Sequence, residues 1–304
     1  MLSLRSVASL GIGGVVAAPS ALPNCENCAE EIPYAAKNCV LCGEDVGYPN
    51  VRAAESADEV SALRERLRAA LISTEARGCR AELEQFGTAA SGSAVVVSRN
   101  LAVLAALVES SNTLISTYHK LVGAEARLPE QNEFDPYRAI VEGMVHPHGV
   151  HENITFGAIT LDGRGVVKYG AFSINLKQDM ISNRTTVFEE NPFSFCDRHA
   201  CRPNKPFPPG YRASWQRRAE LAMAKLHPKI QPGISPAEFP SILLEVDPDK
   251  IETDFIEAHV YGPVHPKAIA RVVLAAQPKA TADRLIWKRV RQKLVDMGVE
   301  IEEP

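Results

Sequence analysis

The most definite chemistry in this sequence belongs to four cysteines. Cys25 and Cys28 are separated by two residues, and after ten more residues Cys39 and Cys42 repeat the spacing. Each pair fits a tight knuckle that aims two thiolates at one ion, and Gly43 permits the positive φ such a turn favours. Four soft thiolates satisfy the tetrahedral preference of zinc and leave no coordination position open, so the site is expected to be structural. In an oxidising compartment the same residues would instead pair as disulfides. A segment of about 25 residues has too little apolar material for a core of its own, and the metal would staple it.

The second group with chemical potential is the run Asp254 to Gly262. Read as a strand, it places Ile256, Ala258 and Val260 on one face, and Phe255, Glu257, His259 and Tyr261 on the other. A carboxyl set among aromatics and an imidazole is a group whose pKa can be tuned for catalysis or ligand recognition. We expect Glu257 to point into a sheltered hollow; the plain alternative is a solvent-facing strand on which it pairs with a Lys or Arg. Upstream, Tyr169, Ser173 and Asn175 share a face of the strand expected over Val166 to Leu176, and Gly170 suggests a bulge or a close approach. Arg184 has the planar fork that binds phosphate, or it pairs with Glu189.

Other donors carry less. Cys196, His199 and Cys201 offer three ligands without a paired C-x2-C, and are read as a surface loop. His146, His148 and His151 cluster at a proline-glycine turn and are read as a polar loop, and Cys79 as a small core residue.

The elements that position these residues fall into four stretches: a disordered extension over 1–22, the cysteine module over 23–48, a helical region over 56–127, and an α+β domain over 133–304 carrying the candidate catalytic residues. Val60, Leu63, Leu67, Leu71 and Ile72 recur at helical spacing. So do Leu101, Leu104, Leu107, Leu114, Ile115, Tyr118 and Leu121 in a second stretch over 94–122, with breaks expected at Gly78, Gly87 and Gly92. Asp135-Pro136 caps a short helix over Tyr137 to Met144. Ile154 to Ile159 alternates as a strand, Asp162 to Gly165 has hairpin-turn chemistry, and Val166 to Leu176 alternates again. A helix is expected from Ala213 to Leu226, strands at Ile242 to Val246, Asp254 to Tyr261 and Ile269 to Leu274, and a closing helix from Thr281 to Met297 with Leu285, Val290, Leu294 and Val295 inward. This order favours α+β with a mixed, largely antiparallel sheet over a doubly wound parallel one.

Two resemblances attach to these residues. Residues 24–47, and Cys39-Val40-Leu41-Cys42-Gly43 above all, resemble the N-terminal zinc ribbons of many bacterial proteins, which bind proteins, bind nucleic acid or cap a domain. Between about 150 and 280, the layout is similar to that of ADP-ribosyltransferases: Tyr169-Gly170, then Arg184, then a late strand with Glu257 before Pro263, Pro266 and the strand Ile269 to Leu274. The resemblance implies NAD as substrate, with Glu257 stabilising the oxocarbenium-like state as nicotinamide leaves. It further implies that Arg184 or His151 holds the phosphates or ribose, that Tyr169 stacks on nicotinamide, and that Ser173 joins the pocket wall. A toxin or phage-defence role would follow. Phe255 stands where many members carry a second Glu or Gln, and the Ser-Thr-Ser motif is absent, which favours a nucleic-acid or small-molecule acceptor over protein arginine.

Composition sets outer limits. With 304 residues and 45% apolar content, a sizeable core can form. The net charge of −4 excludes coating of nucleic acid by charge alone. Val7 to Ala18 is interrupted by Gly11, Gly13 and Gly14 and is too short to span a bilayer. A cytoplasmic protein without membrane insertion is expected, a secretion signal over 1–22 being the alternative. No Gly-x-Ser-x-Gly elbow points to a serine hydrolase. The competing functional class is a non-enzymatic adaptor that binds a protein partner through the ribbon and helical region.

Overall fold

The computed structural model describes residues 23–110, 113–125, 135–203, 205, 207–245 and 253–304. The extension expected over 1–22 lies outside these, as do residues 126–127, 133–134 and Val246. Eight strands form one sheet: β1 (Ala94–Arg99), β2 (Ile154–Thr160), β3 (Phe172–Leu176), β4 (Thr185–Phe188), β5 (Arg212–Ser214), β6 (Glu257–Tyr261), β7 (Ile269–Leu274) and β8 (Glu300–Glu302). Their order is β5-β4-β6-β2-β1-β3-β7-β8, antiparallel throughout except for β7 with β8. The protein is therefore α+β, with a mostly antiparallel sheet, as its element order suggests.

Register divides the sheet into two unlike faces. Val95 of β1 aligns with Ile159 and Val97 with Ile174, Ile174 aligns with Val272, and on the same face Gly157 of β2 aligns with Ala258 and Ala258 with Val187. That apolar face packs under helices Ala57–Ala76, Arg80–Ser91, Leu101–Glu109, Arg218–Leu226 and Thr281–Asp296 in a single hydrophobic core. Truncating a residue such as Phe86 there costs about 3–5 kcal/mol, as in other large-to-small core changes. The opposite face carries Ser98, Phe156, Glu257, His259, Thr186, Ser173 and Asn175. Five helices cover the apolar side, and the polar side lies under the shorter helix Arg138–Val145, whose Val141 and Val145 pack on Phe188.

Several local expectations are corrected. Ala94–Arg99, placed in a helix by the sequence pattern, is the central strand β1. Val95-Val96-Val97 is short and β-branched, and burial between β2 and β3 outweighs the helical spacing that begins at Leu101. Gly87 does not break a helix: it lies inside Arg80–Ser91, where a Cβ would collide with Met223 of the crossing helix. Tyr169 is not on a strand with Ser173, because Val167–Tyr169 is a 3-10 turn and Gly170 has φ of 148°. A Cβ on Gly170 would run into the backbone of Arg99, so the close approach foreseen there is to the chain itself. Ile242 belongs to the helix Phe239–Leu243, and only Leu244 bridges Phe255. In the closing helix Val290 and Leu294 are buried with Trp287, whereas Leu285 and Val295 face solvent. The helix expected from Ala213 begins at Arg218, since Ala213 and Ser214 pair with β4 as part of β5, and β4 and β8, four and three residues long, have no separate expectation.

The cysteine module is tied to this body. Arg52, in the short helix Pro49–Ala54, donates to the carbonyls of Ala36 and Gly47 at 2.7 Å and of Tyr34 at 2.8 Å. Two residues earlier, the buried Asn50 amide donates to the carbonyls of Arg184 at 3.0 Å and His259 at 3.2 Å. One helix thus fastens the module on one side and the β4–β6 strands on the other. No helix among the described residues is long and apolar enough to cross a membrane.

Candidate functional site

The four cysteines meet. Knuckle turns form as expected: Gly43 N–H donates to the Cys39 carbonyl at 3.0 Å with Gly43 at φ 76°, and Cys39 N–H donates to Glu44 O at 2.8 Å. Cys25 N–H reaches Glu30 O at 2.8 Å in the matching turn. The sulfur atoms of Cys25 and Cys42 lie 3.6 Å apart and those of Cys28 and Cys39 3.5 Å apart, with all four within 4.8 Å of one another. Zinc–sulfur bonds of about 2.3 Å in a tetrahedron separate sulfurs by about 3.8 Å, so the cluster fits such an ion. These cysteines can hold a metal, and none is in a disulfide.

The second site is on the polar face of the sheet. A cavity of about 580 Å³ has β1, β2 and β6 as its floor, through Ser98, Phe156, Ala158 and Glu257. Its walls come from Leu107, Tyr118, Arg138, Glu142, Tyr169 and Phe193, with the Arg138 guanidinium over the Tyr118 ring at 4.9 Å. Concave, largely apolar clefts of this size with a few polar groups are typical small-molecule sites.

Glu257 lies in that floor. Register sets it between Ala158 of β2 and Phe188 of β4, so no neighbouring strand offers it a cation. Only 6% of the residue is exposed, and its hydrogen-bonding partner among the described residues is His259, whose Nε2 lies 2.9 Å from Oε2. Burial pushes the Glu257 carboxyl well above the ordinary 4.5; the nearby Glu142 charge adds to this and Arg138 opposes it. The His259 ring is walled by Phe156 and Phe188, with centroids at 4.9 and 5.7 Å. Burial holds this imidazole down to about 3. Its Nδ1 lies 2.7 Å from Nε2 of His146, which is itself 1% exposed and likewise held well below 6.5 by burial. His146 Nδ1 is buried and has no partner among the described residues.

A second polar group faces Glu257 from the helix Arg138–Val145. Glu142, 3% exposed, meets Arg138 through Oε1 at 2.9 Å and His119 through Oε2 at 2.8 Å. Arg138 also donates to Asp135 at 2.9 Å. Arg138, Glu142 and His146 follow at four-residue intervals, so one face of the helix and its first residue beyond present all three to the sheet. That spacing is the available signal, and reading His146 as part of a polar loop misses it.

Among the residues singled out from sequence, Glu257 and Tyr169 both border the cavity. The other three do not. Ser173, on β3, accepts the Gly165 N–H at 2.8 Å and so fixes the loop that carries Val166 and Tyr169. Arg184 donates to the carbonyls of Tyr261 and, at 3.2 Å, Pro263, where it closes the end of β6. Glu189, its suggested partner, pairs with Arg66, and lies 3.4 Å from Arg198. His151 packs edge-on against His119 with ring centroids 4.9 Å apart. Cys196 and Cys201 are buried in a small apolar cluster with Phe188 and Phe195, and do not lie in a surface loop.

Comparison with known proteins finds no family model that matches the chain and no curated protein similar to it.

Proposed function

We propose that the chain is an enzyme that cleaves an N-glycosidic bond in the cavity beneath Tyr169, with NAD as substrate and ADP-ribosyl transfer as the reaction. The observation that carries this is the Glu257 carboxyl: it stands in the floor of an aromatic-walled cavity, hydrogen-bonded to a neutral imidazole and, among the described residues, with no cation bonded to it. In such a low-dielectric site an ionised carboxylate interacts with a positive charge far more strongly than it does in water. The nicotinamide ring of NAD is cationic, and its entry favours release of the Glu257 proton. As the bond from ribose C1′ to the ring nitrogen breaks, the bonding pair neutralises the ring and positive charge moves onto the ribose. The carboxylate stabilises that charge until an acceptor or water attacks C1′. Tyr169 and Phe156 offer flat surfaces to the ring, and Arg99 at the cavity wall offers a cation to the phosphates.

Incubating the purified protein with labelled NAD tests the proposal by nicotinamide release and by label on protein or nucleic acid. E257Q should lower release by about a hundredfold or more. Release at the wild-type rate by E257Q refutes it.

For the cysteine cluster we propose zinc. The sulfur separations support it, since they are near those of a closed tetrahedral thiolate site. A non-catalytic role for the ribbon as a docking element is supported by Val40 and Leu41, which sit between Cys39 and Cys42 and are 69% and 67% exposed. Capture of a protein partner that survives E257Q but is lost on Leu41→Ser would establish that role beside catalysis.

A further inference from the structure

Glu257 is the visible end of a longer arrangement. Its Oε2, the two nitrogens of His259 and Nε2 of His146 lie in sequence at 2.9 and 2.7 Å, and Nδ1 of His146 ends the series without a partner among the described residues. These three side chains come from two elements, β6 and the C-terminal end of the helix Arg138–Val145. Nothing in a purely structural role requires a carboxyl and two imidazoles in line, since apolar side chains of similar volume would fill the space without burying polar atoms.

We propose that Glu257, His259 and His146 form one proton chain, in which the carboxyl at the cavity floor gains or loses its proton only together with a tautomer change in both imidazoles. His259 and His146 are then positioning residues. The proposal builds on Glu257 as the reacting carboxyl, but its test follows protons and not turnover, so either can fail alone.

Hydrogen bonding allows two arrangements. In the first, Glu257 is neutral and its O–H donates to His259 Nε2. His259 Nδ1–H then donates to His146 Nε2, and His146 carries its own proton on Nδ1. In the second, Glu257 is ionised and accepts from His259 Nε2–H, while His259 Nδ1 accepts from His146 Nε2–H, leaving a bare lone pair on His146 Nδ1. The two differ by one proton. Passing from first to second, the carboxyl proton moves to His259 Nε2, the Nδ1 proton of His259 moves to His146 Nε2, and the Nδ1 proton of His146 is released to bulk water. No imidazolium forms, which suits rings whose burial opposes positive charge.

The charged surroundings balance this choice from every side. Glu142 and Arg138 face Glu257 from the helix, and Tyr169 borders it from the loop. Arg212 of β5, paired with Glu59 at 2.6 Å, acts on both His259 and His146, and His151 acts on His146. Arg138 and Arg212 favour the ionised arrangement, and Glu142 favours the neutral one.

Nuclear magnetic resonance on the full chain, labelled with carbon-13 at glutamate Cδ and nitrogen-15 in the imidazoles, reads all three groups directly. E257Q, H259F and H146F identify their signals. The expected result is one step: as the Glu257 carbon moves from its neutral to its ionised position, both imidazoles pass from Nδ1–H to Nε2–H at the same pH. If the carboxyl stays neutral over the accessible range, both rings must remain Nδ1–H. An ionisation of Glu257 that leaves either ring unmoved overturns the proposal. So does an Nε2–H ring beside a neutral carboxyl, or an imidazolium in either position.

Discussion

Replacing Glu257 with glutamine should stabilise the protein, and should do so increasingly as pH rises. The side chains have nearly the same shape, and the glutamine amide can donate to His259 Nε2 as a neutral carboxyl would, so packing changes little. What changes is proton linkage. Above pH 4.5 the unfolded chain has released the Glu257 proton, while burial makes the folded protein keep it. A folded pKa raised in this way gives stability that is fully present below 4.5 and is lost as pH climbs toward the folded value. The loss is about 1.4 kcal/mol per pH unit for one proton. E257Q has no such loss, so its advantage should grow with pH above 4.5, approaching about 1.4 kcal/mol per unit, until the folded Glu257 itself ionises.

The imidazoles act in the opposite sense. His259 and His146 are held below 6.5 in the fold, His259 at about 3, so below pH 6.5 the unfolded chain takes up protons that the folded one refuses. Stability from these rings is present above 6.5 and lost as pH falls. Thiolate protonation and metal loss also weaken the protein in acid. All of these occur in both proteins and cancel in the difference between them. Urea unfolding of wild type and E257Q at half-unit steps from about pH 5 to 7 measures that difference. A gap that stays constant to within about 0.5 kcal/mol across this range would mean that Glu257 is ionised in the fold, and would refute the reasoning.

Other expectations follow from single contacts. Arg138→Met leaves the buried Asp135 and Glu142 carboxyls without their guanidinium, and should cost about 3–5 kcal/mol in denaturant unfolding. Gly170→Ala places a Cβ against the Arg99 backbone at a φ of 148°, and should cost about 1–3 kcal/mol in the same measurement. Elemental analysis should find one zinc per chain in wild type and none in Cys39→Ser, whereas stoichiometric zinc in that variant would remove Cys39 from the ligand set. Ser173→Ala orphans the buried Gly165 N–H and should destabilise by about 1–3 kcal/mol; with Tyr169 less firmly held, KM for NAD should rise more than kcat falls.

Features determined by near neighbours in the chain were legible from sequence. Cys25, Cys28, Cys39 and Cys42 meet because knuckle spacing is local, and Glu257 shares a face with His259 because strands alternate. What lay across the fold was not. That Glu257 faces a cavity depends on Phe188 and Ala158 flanking it, which is set by strand register. Arg184 and Ser173 have the types suited to phosphate and ribose, yet Arg184 is committed to backbone carbonyls far along the chain and Ser173 to the Gly165 N–H of the preceding loop. Arg138, Glu142 and His146 did carry a readable period of four, obscured by the proline-glycine turn after His146. The valine run of β1 is too short for its periodicity to separate strand from helix, and β8 is three residues that pair with β7 and pack Ile301 against the core.

The most direct measurement is the carbon-13 signal of Glu257 at constant neutral pH as NAD is added, with NADH as the control. NAD carries a cationic ring and NADH an uncharged one of almost the same shape. The account predicts that NAD shifts the signal toward the ionised carboxylate and that NADH leaves it near its starting position. A signal that ignores saturating NAD, or that answers both nucleotides alike, would contradict it.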